Sequence, residues 1–199
     1  MIDSGQHDAL LIEMRDAVEI GLHSVELPEQ PASLYEAVHY ALSSKGKRIR
    51  PILTLLSGQL FGADSDGAID AALAVEIFHT FTLVHDDIMD NSDTRRGRET
   101  IHVKWDEPTA ILVGDMLLGM TPGLLAKTAP ERLVKILEQH TDTVRVLCEG
   151  QILDMEFESR RDVTVEEYLD MIDRKTGFLL QTSLLYGGLF GRATPDELV

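Results

Sequence analysis

A chain of 199 residues, 44% hydrophobic and 26% charged, is long enough to bury a sizeable core and too apolar to be a disordered polyampholyte. Its formal net charge of -16 excludes general nucleic-acid affinity, which rests on neutralising phosphates with Lys and Arg, so no nucleic-acid partner is expected. Cys148 is the single cysteine, which excludes an internal disulfide or a thiolate-rich metal site and fits a reducing compartment.

Asp8 and Glu13 lie where a leader peptide would carry basic and then apolar residues, so no leader is read. Nor is any apolar run read as spanning a membrane, and a cytoplasmic protein is expected. Leu10, Leu11, Met14, Val18 and Leu22 recur at helical spacing and predict an amphipathic first helix, ended by Pro28 and Pro31. Leu34, Ala37, Val38, Ala41 and Leu42 repeat the period, with Ser33 as the expected N-cap. Breakers at 43–47 follow, and Pro51 sits in the first turn of a third helix. From Ala68 to Met89 the chain is apolar on almost every side, which predicts a central buried helix. The segment from Asn91 to Thr100 is polar and arginine-rich and reads as a loop. Helical periods then cover roughly 109–126, 131–157, 165–175 and on to Phe190, with no strand alternation and no linker. The prediction is one all-α domain.

Asp86 and Asp90, four residues apart at the end of the apolar helix, project from one face a turn apart. Their mutual repulsion is relieved by a hard divalent cation, and Mg2+ favours a few carboxylates completed by substrate phosphates. Taken alone, the pattern suits a solvated acidic helix end equally well. Asp87 points elsewhere and suits a supporting role. His79, seven residues before Asp86, lies on the same stripe, although a buried histidine is more often a bonded core residue than a ligand. Gly46-Lys47-Arg48-Ile49-Arg50-Pro51 joins flexible backbone, three cations and a helix-starting proline, which suits a diphosphate. Arg95 and Arg96 follow the aspartates and offer two guanidinium groups for bidentate pairing with phosphate oxygens.

Together these segments resemble the trans-isoprenyl diphosphate synthase (polyprenyl synthetase) family, which includes farnesyl and geranylgeranyl diphosphate synthases. The resemblance rests on GKRIRP (Gly46 to Pro51), His79, DDIMD (Asp86 to Asp90), DTRRG (Asp93 to Gly97), GQILDMEFE (Gly150 to Glu158) and Lys175-Thr176-Gly177, in family order. It implies an isoprenoid synthase-type helical bundle around a central cavity, and a Mg2+-dependent prenyltransferase joining isopentenyl diphosphate to an allylic diphosphate. Lys47, Arg50, His79 and Arg96 would hold the isopentenyl diphosphate. Arg95 and Lys175, beside Thr176, would hold the allylic diphosphate, and Asp86 and Asp90 would bind the metal. Gln151 and Asp154 would line the same cavity.

In the family, product length follows from bulky side chains upstream of the first aspartate motif. Phe81 is the expected floor, and Thr82 gives only a partial block. A geranylgeranyl product is therefore favoured over farnesyl. A homodimer is implied, with the apolar stretch from Ile111 to Leu118 available as an interface.

The family also carries a second aspartate-rich motif on a later helix, facing the first, and no such run follows Asp90. Asp170 and Asp173 do not replace it, because they lie in the context preceding that motif. Residues 1–199 accordingly read as the N-terminal portion of a single polyprenyl synthetase domain, and a chain complete at that point is not expected to finish catalysis. Two other readings stay open. A terpene cyclase would share the metal site but need no second diphosphate pocket, whereas a non-catalytic partner subunit would modify the product of an active synthase.

Overall fold

The predicted periodicities fold as helices in the computed structural model, which describes residues 4–198. Met1 to Asp3, part of the segment read above for a leader, lie outside the described residues. Helix α1 runs Ser4–His23, α2 Ala32–Leu42, α3 Ile49–Leu60 and α4 Ser65–Met89. They are followed by α5 Ile101–Lys104, α6 Glu107–Leu125, α7 Pro130–Ser159, α8 Val165–Ile172 and α9 Phe178–Phe190. A π-helical turn, Asp173–Gly177, joins α8 to α9. Between α4 and α5 stands an antiparallel hairpin of β1, Thr94–Arg95, and β2, Arg98–Glu99. This hairpin is the only sheet among the described residues, so the all-α class stands.

Helix α4 is the axis of the bundle, packed by α1, α3, α6 and α9. Ala71, Ala72, Ala74, Val75, Ile77 and Phe78 are all buried, and the run of alanines lets neighbouring helices come close. The sequence reading found no run of membrane-spanning length, yet α4 from Gly67 to Met89 and α6 both reach that length and apolarity. Burial gives the physical reason for α4: its apolar side chains meet the other helices. Helix α6 buries Ala110, Val113 and Leu117 against that core.

Local chemistry sets the helix ends. Asp64 caps α4 by accepting from the Gly67 amide, and Asp106 caps α6 by accepting from the Thr109 amide. Thr164 and Glu167 form a reciprocal capping box on α8. Helix α2 departs from expectation, because Pro31 rather than Ser33 stands at its N-cap and no side chain caps it. The extended Pro31 backbone turns its carbonyl to the Leu34 and Tyr35 amides, and the helix therefore begins before Ser33. Pro122 lies inside α6, where it removes the amide that would serve the Leu118 carbonyl. The Thr121 hydroxyl donates to that carbonyl instead, at 2.8 Å. The polar segment after α4 is a hairpin rather than an irregular loop. Arg96 and Gly97, with φ of 53° and 78°, form its two-residue turn, and positive φ at both positions matches the twist of paired strands.

The three cations of the GKRIRP segment do not share one fate. Arg48 turns inward, with its side chain 1% exposed. It donates to Glu76 on α4, to Glu19 on α1 at 2.8 Å and to the Ser44 carbonyl at 2.6 Å. Burial pushes the Glu76 carboxyl up, and the charge and hydrogen bond of Arg48 oppose that shift. Arg48 thus fastens the loop before α3 to α1 and α4, whereas Lys47 is exposed and Arg50 is only partly buried. Arg48→Met leaves Glu76 buried without its partner, and a loss of about 3–5 kcal/mol in urea unfolding is expected. The double variant Arg48→Met/Glu76→Met should recover much of that loss.

Candidate active site

The site begins where α4 runs out of cover. Asp86 is partly buried and Asp90, at the C-cap, is exposed. Burial holds the Asp86 carboxyl above its ordinary value, with Lys175 pulling it down and the Asp90 charge pushing it further up. Lys175 comes from the π-helical turn and donates from Nζ to Asp154 on α7. Burial disfavours its charge, but the Asp154 bond and the charges of Asp86 and Asp90 outweigh that and raise its pKa. Gly150 allows this approach, since a Cβ there would collide with the Lys175 backbone nitrogen. Lys175 and Thr176, consecutive in sequence, both line the cavity, an arrangement consistent with the altered register of a π turn.

Among the described residues no group of three or more His, Cys, Asp or Glu side chains converges on one point. Asp86 and Asp90 therefore supply a pair of hard oxygen donors at an open helix end. That donor set fits a magnesium ion whose remaining ligands are phosphate oxygens or water, and does not fit a fully protein-bound metal.

Beneath the aspartates lies a cavity of about 230 Å³. Phe78, Phe81 and Thr82 of α4 line it, facing Val144, Leu147 and Cys148 of α7 and Leu179 of α9. Phe81 meets Phe78 edge to face at 5.4 Å and His85 at 5.0 Å, so the ring is braced on both sides. The Thr82 hydroxyl donates to the His79 carbonyl at 2.8 Å. Two buried nitrogens on the lining residues, Arg50 Nε and Gln151 Nε2, have no hydrogen-bond partner within the protein. Buried donors of this kind are costly unless something answers them, and ligand oxygens would do so.

A second, open pocket of about 610 Å³ adjoins the first. Lys45, Lys47, Arg50 and Arg96 line it, together with Gly46 and His79. Arg50 donates to His79 Nε2 at 3.2 Å. Burial, followed by the charges of Arg50 and Arg96, lowers the His79 imidazole to about 3, so it is neutral at physiological pH. Burial also lowers the pKa of Arg50 and of Arg96, partly offset in each by Glu76. Crowded, half-desolvated cations are what a polyanion would relieve.

The structure therefore gathers most of the predicted residues into two adjoining sites. Asp86, Gln151, Lys175, Thr176, Phe81 and Thr82 line the first, Lys47 and Arg96 line the second, and Arg50 and His79 border both. Asp90 stands beside Asp86 at the helix end. Arg95 is placed differently, in a neighbouring recess where its Nε donates to Asp87. Burial raises the Asp87 carboxyl, with the Arg95 hydrogen bond opposing that shift. His85 and Cys148 line the first cavity without having been singled out from the sequence. Only the position of His85 next to Asp86 could have signalled it. Its imidazole lies 3.2 Å from the Ile111 carbonyl.

The His79 shift makes a pH prediction. Between pH 6.5 and about 3 the unfolded chain takes up a proton that the folded chain refuses, so His79 makes stability fall as pH drops through that window. His79→Gln should flatten this component. Unfolding free energies of the two proteins, measured from pH 7 to pH 4, should converge as the pH falls.

A family model described as polyprenyl synthetase matches residues 31–199. The geranylgeranyl diphosphate synthase of Methanosarcina mazei is 42% identical over 169 residues, covering 84% of this chain and 52% of that protein. That of Sulfolobus acidocaldarius is 43% identical, covering 83% of this chain and 51% of its own length. The solved geranylgeranyl pyrophosphate synthetase of Geoglobus acetivorans superposes with a TM-score of 0.87 at 37% identity, over 94% of this chain and 62% of that one. The chain spans about half the length of the curated relatives it matches. With GKRIRP, DDIMD and the Lys175 turn converging in space as well as in sequence, the chain belongs to the polyprenyl synthetase family.

Proposed function

We propose that this chain forms the substrate-binding portion of a magnesium-dependent prenyltransferase that condenses isopentenyl diphosphate with an allylic diphosphate, with geranylgeranyl diphosphate as the favoured product. The observation that carries the reading is the pairing of two anion sites across Arg50 and His79, one acidic and suited to a metal-bound diphosphate, the other basic and suited to a free one. A cyclase would leave the basic pocket without a ligand.

In this reading Asp86 and Asp90 hold the magnesium ion, and Lys175 reaches the allylic diphosphate from the opposite wall. Magnesium, when bound, supplies positive charge that stabilises the departing diphosphate. Lys47, Arg50 and Arg96 grip the diphosphate of isopentenyl diphosphate, and neutral His79 adds a hydrogen bond. The allylic carbon–oxygen bond breaks, the isopentenyl double bond attacks the allylic carbon, and a proton leaves the new chain. Phe78, Leu147 and Leu179 exclude water from the apolar part of the cavity, which protects the cationic centre from capture. Arg95 first has to leave Asp87 if it is to touch the allylic diphosphate. Ile111 and Leu112 are exposed on α6 and offer an apolar face for a homodimer.

Asp86→Ala and Asp90→Ala should each abolish the magnesium dependence with which an allylic diphosphate analogue binds. Calorimetry with and without the metal tests this, and unchanged dependence in both variants returns DDIMD to a solvated helix end. Chain length gives the second test. Phe81 lies five residues before Asp86, at about 1.5 Å per residue along α4, and lines the cavity beneath the aspartates, where its ring would meet a growing chain. In a catalytically active form of the protein, Phe81→Ala should lengthen the products seen by chromatography, and Thr82→Phe should shorten them.

A further inference from the structure

We propose that Tyr40, on the last turn of α2, is a positioning residue: it holds the β1–β2 hairpin so that Arg96 at its tip faces the basic pocket. The inference rests on the reading of that pocket as a diphosphate site. A hairpin with two residues in each strand has little stability of its own, so contacts from outside must set its orientation. On β1 Arg95 is held by Asp87 of α4, and the contacts to β2 and to the tip come from the end of α2 and the loop that follows it.

The Tyr40 hydroxyl donates to the Glu99 carbonyl on β2 at 2.9 Å, bridging 59 positions of sequence. Its ring carries the Arg98 guanidinium at 3.8 Å from the centroid, and Arg98 also donates to the Ser43 hydroxyl at 3.2 Å. Trp105 meets the Tyr40 ring edge to face at 5.2 Å, and the Lys104 ammonium lies 4.5 Å from the ring centroid. Tyr40 thus contacts both β2 and the residues that follow the hairpin. At the tip, Arg96 donates to the Lys45 carbonyl at 2.9 Å. A Cβ on Gly46 would come within 2.6 Å of that guanidinium, so the glycine leaves the space in which Arg96 lies. Tyr40 touches none of the residues lining the basic pocket through its own hydrogen bond or ring contacts. The hairpin is the route by which its hydroxyl and ring reach Arg96.

The test is calorimetric binding of isopentenyl diphosphate to the full chain, with circular dichroism confirming the fold of each variant. Arg96→Ala should weaken binding by roughly 10- to 100-fold, the range of a lost charge-assisted hydrogen bond. Tyr40→Leu, which loses both hydroxyl and ring, should weaken it by roughly tenfold, and Tyr40→Phe, which keeps the ring, by about threefold. The double variant Tyr40→Leu/Arg96→Ala should bind as Arg96→Ala does, because a residue acting through Arg96 has nothing left to position. A merely structural defect would instead multiply the two losses. Wild-type affinity in Tyr40→Leu, or a multiplied loss in the double variant, overturns the proposal. Should Tyr40→Leu fail to fold, Tyr40→Phe alone and with Arg96→Ala decides by the same comparison. Unchanged binding in Arg96→Ala would instead overturn the diphosphate pocket itself, an outcome distinct from the failure of Tyr40.

Discussion

A 25-residue helix with almost no free face can keep polar side chains only where something answers them, and in α4 arginines do so at three places. Glu76 is answered by Arg48, His79 by Arg50, and Asp87 by Arg95. These arginines come from the N-cap and first turn of α3 and from the hairpin after α4. Burying the axis thus obliges two basic segments to converge on it, and their convergence creates the pocket. Asp86 and Asp90 stand at the end where cover runs out, with Lys175 as the nearby cation.

This arrangement holds charge of both signs at short range without cancelling it. Arg50 and Arg96 crowd one side of His79 and are desolvated there, while Asp86 and Asp90 repel on the other. In a chain of net charge -16, a basic pocket of this kind is a local reversal of the field. Two diphosphates and a metal would settle the imbalance on both sides at once, which is why the acidic and basic sites are read as parts of one reaction rather than as separate surfaces.

Much of this was legible in the sequence. All-round apolarity from Ala68 to Met89 identified the buried axis, and the four-residue spacing of Asp86 and Asp90 placed both at one helix end. Spacing is less informative about which of several neighbouring cations turns inward. Arg48 reads only as one of three cations in its segment, and the signal for its inward turn is Glu76, a lone acid within an apolar run that requires a buried partner. The cap of α2 was misplaced by two residues because a proline carbonyl, invisible to a search for side-chain caps, began the helix. Arg95 and Arg96 were read as a pair. The hairpin turn separates them, sending one toward Asp87 and the other toward Lys45.

That turn has an implication for how the chain can be improved. Arg96 occupies the left-handed backbone region, which costs a residue with a Cβ about 1–2 kcal/mol relative to a right-handed conformation and costs glycine almost nothing. A search for thermostable variants would accordingly be drawn to glycine at position 96, next to Gly97, and would relax the backbone while deleting the guanidinium at the tip. If the basic pocket takes a diphosphate as proposed, the arginine is a place where durability and ligand capture pull in opposite directions. Selection of this protein for heat resistance alone would act against the guanidinium at that position.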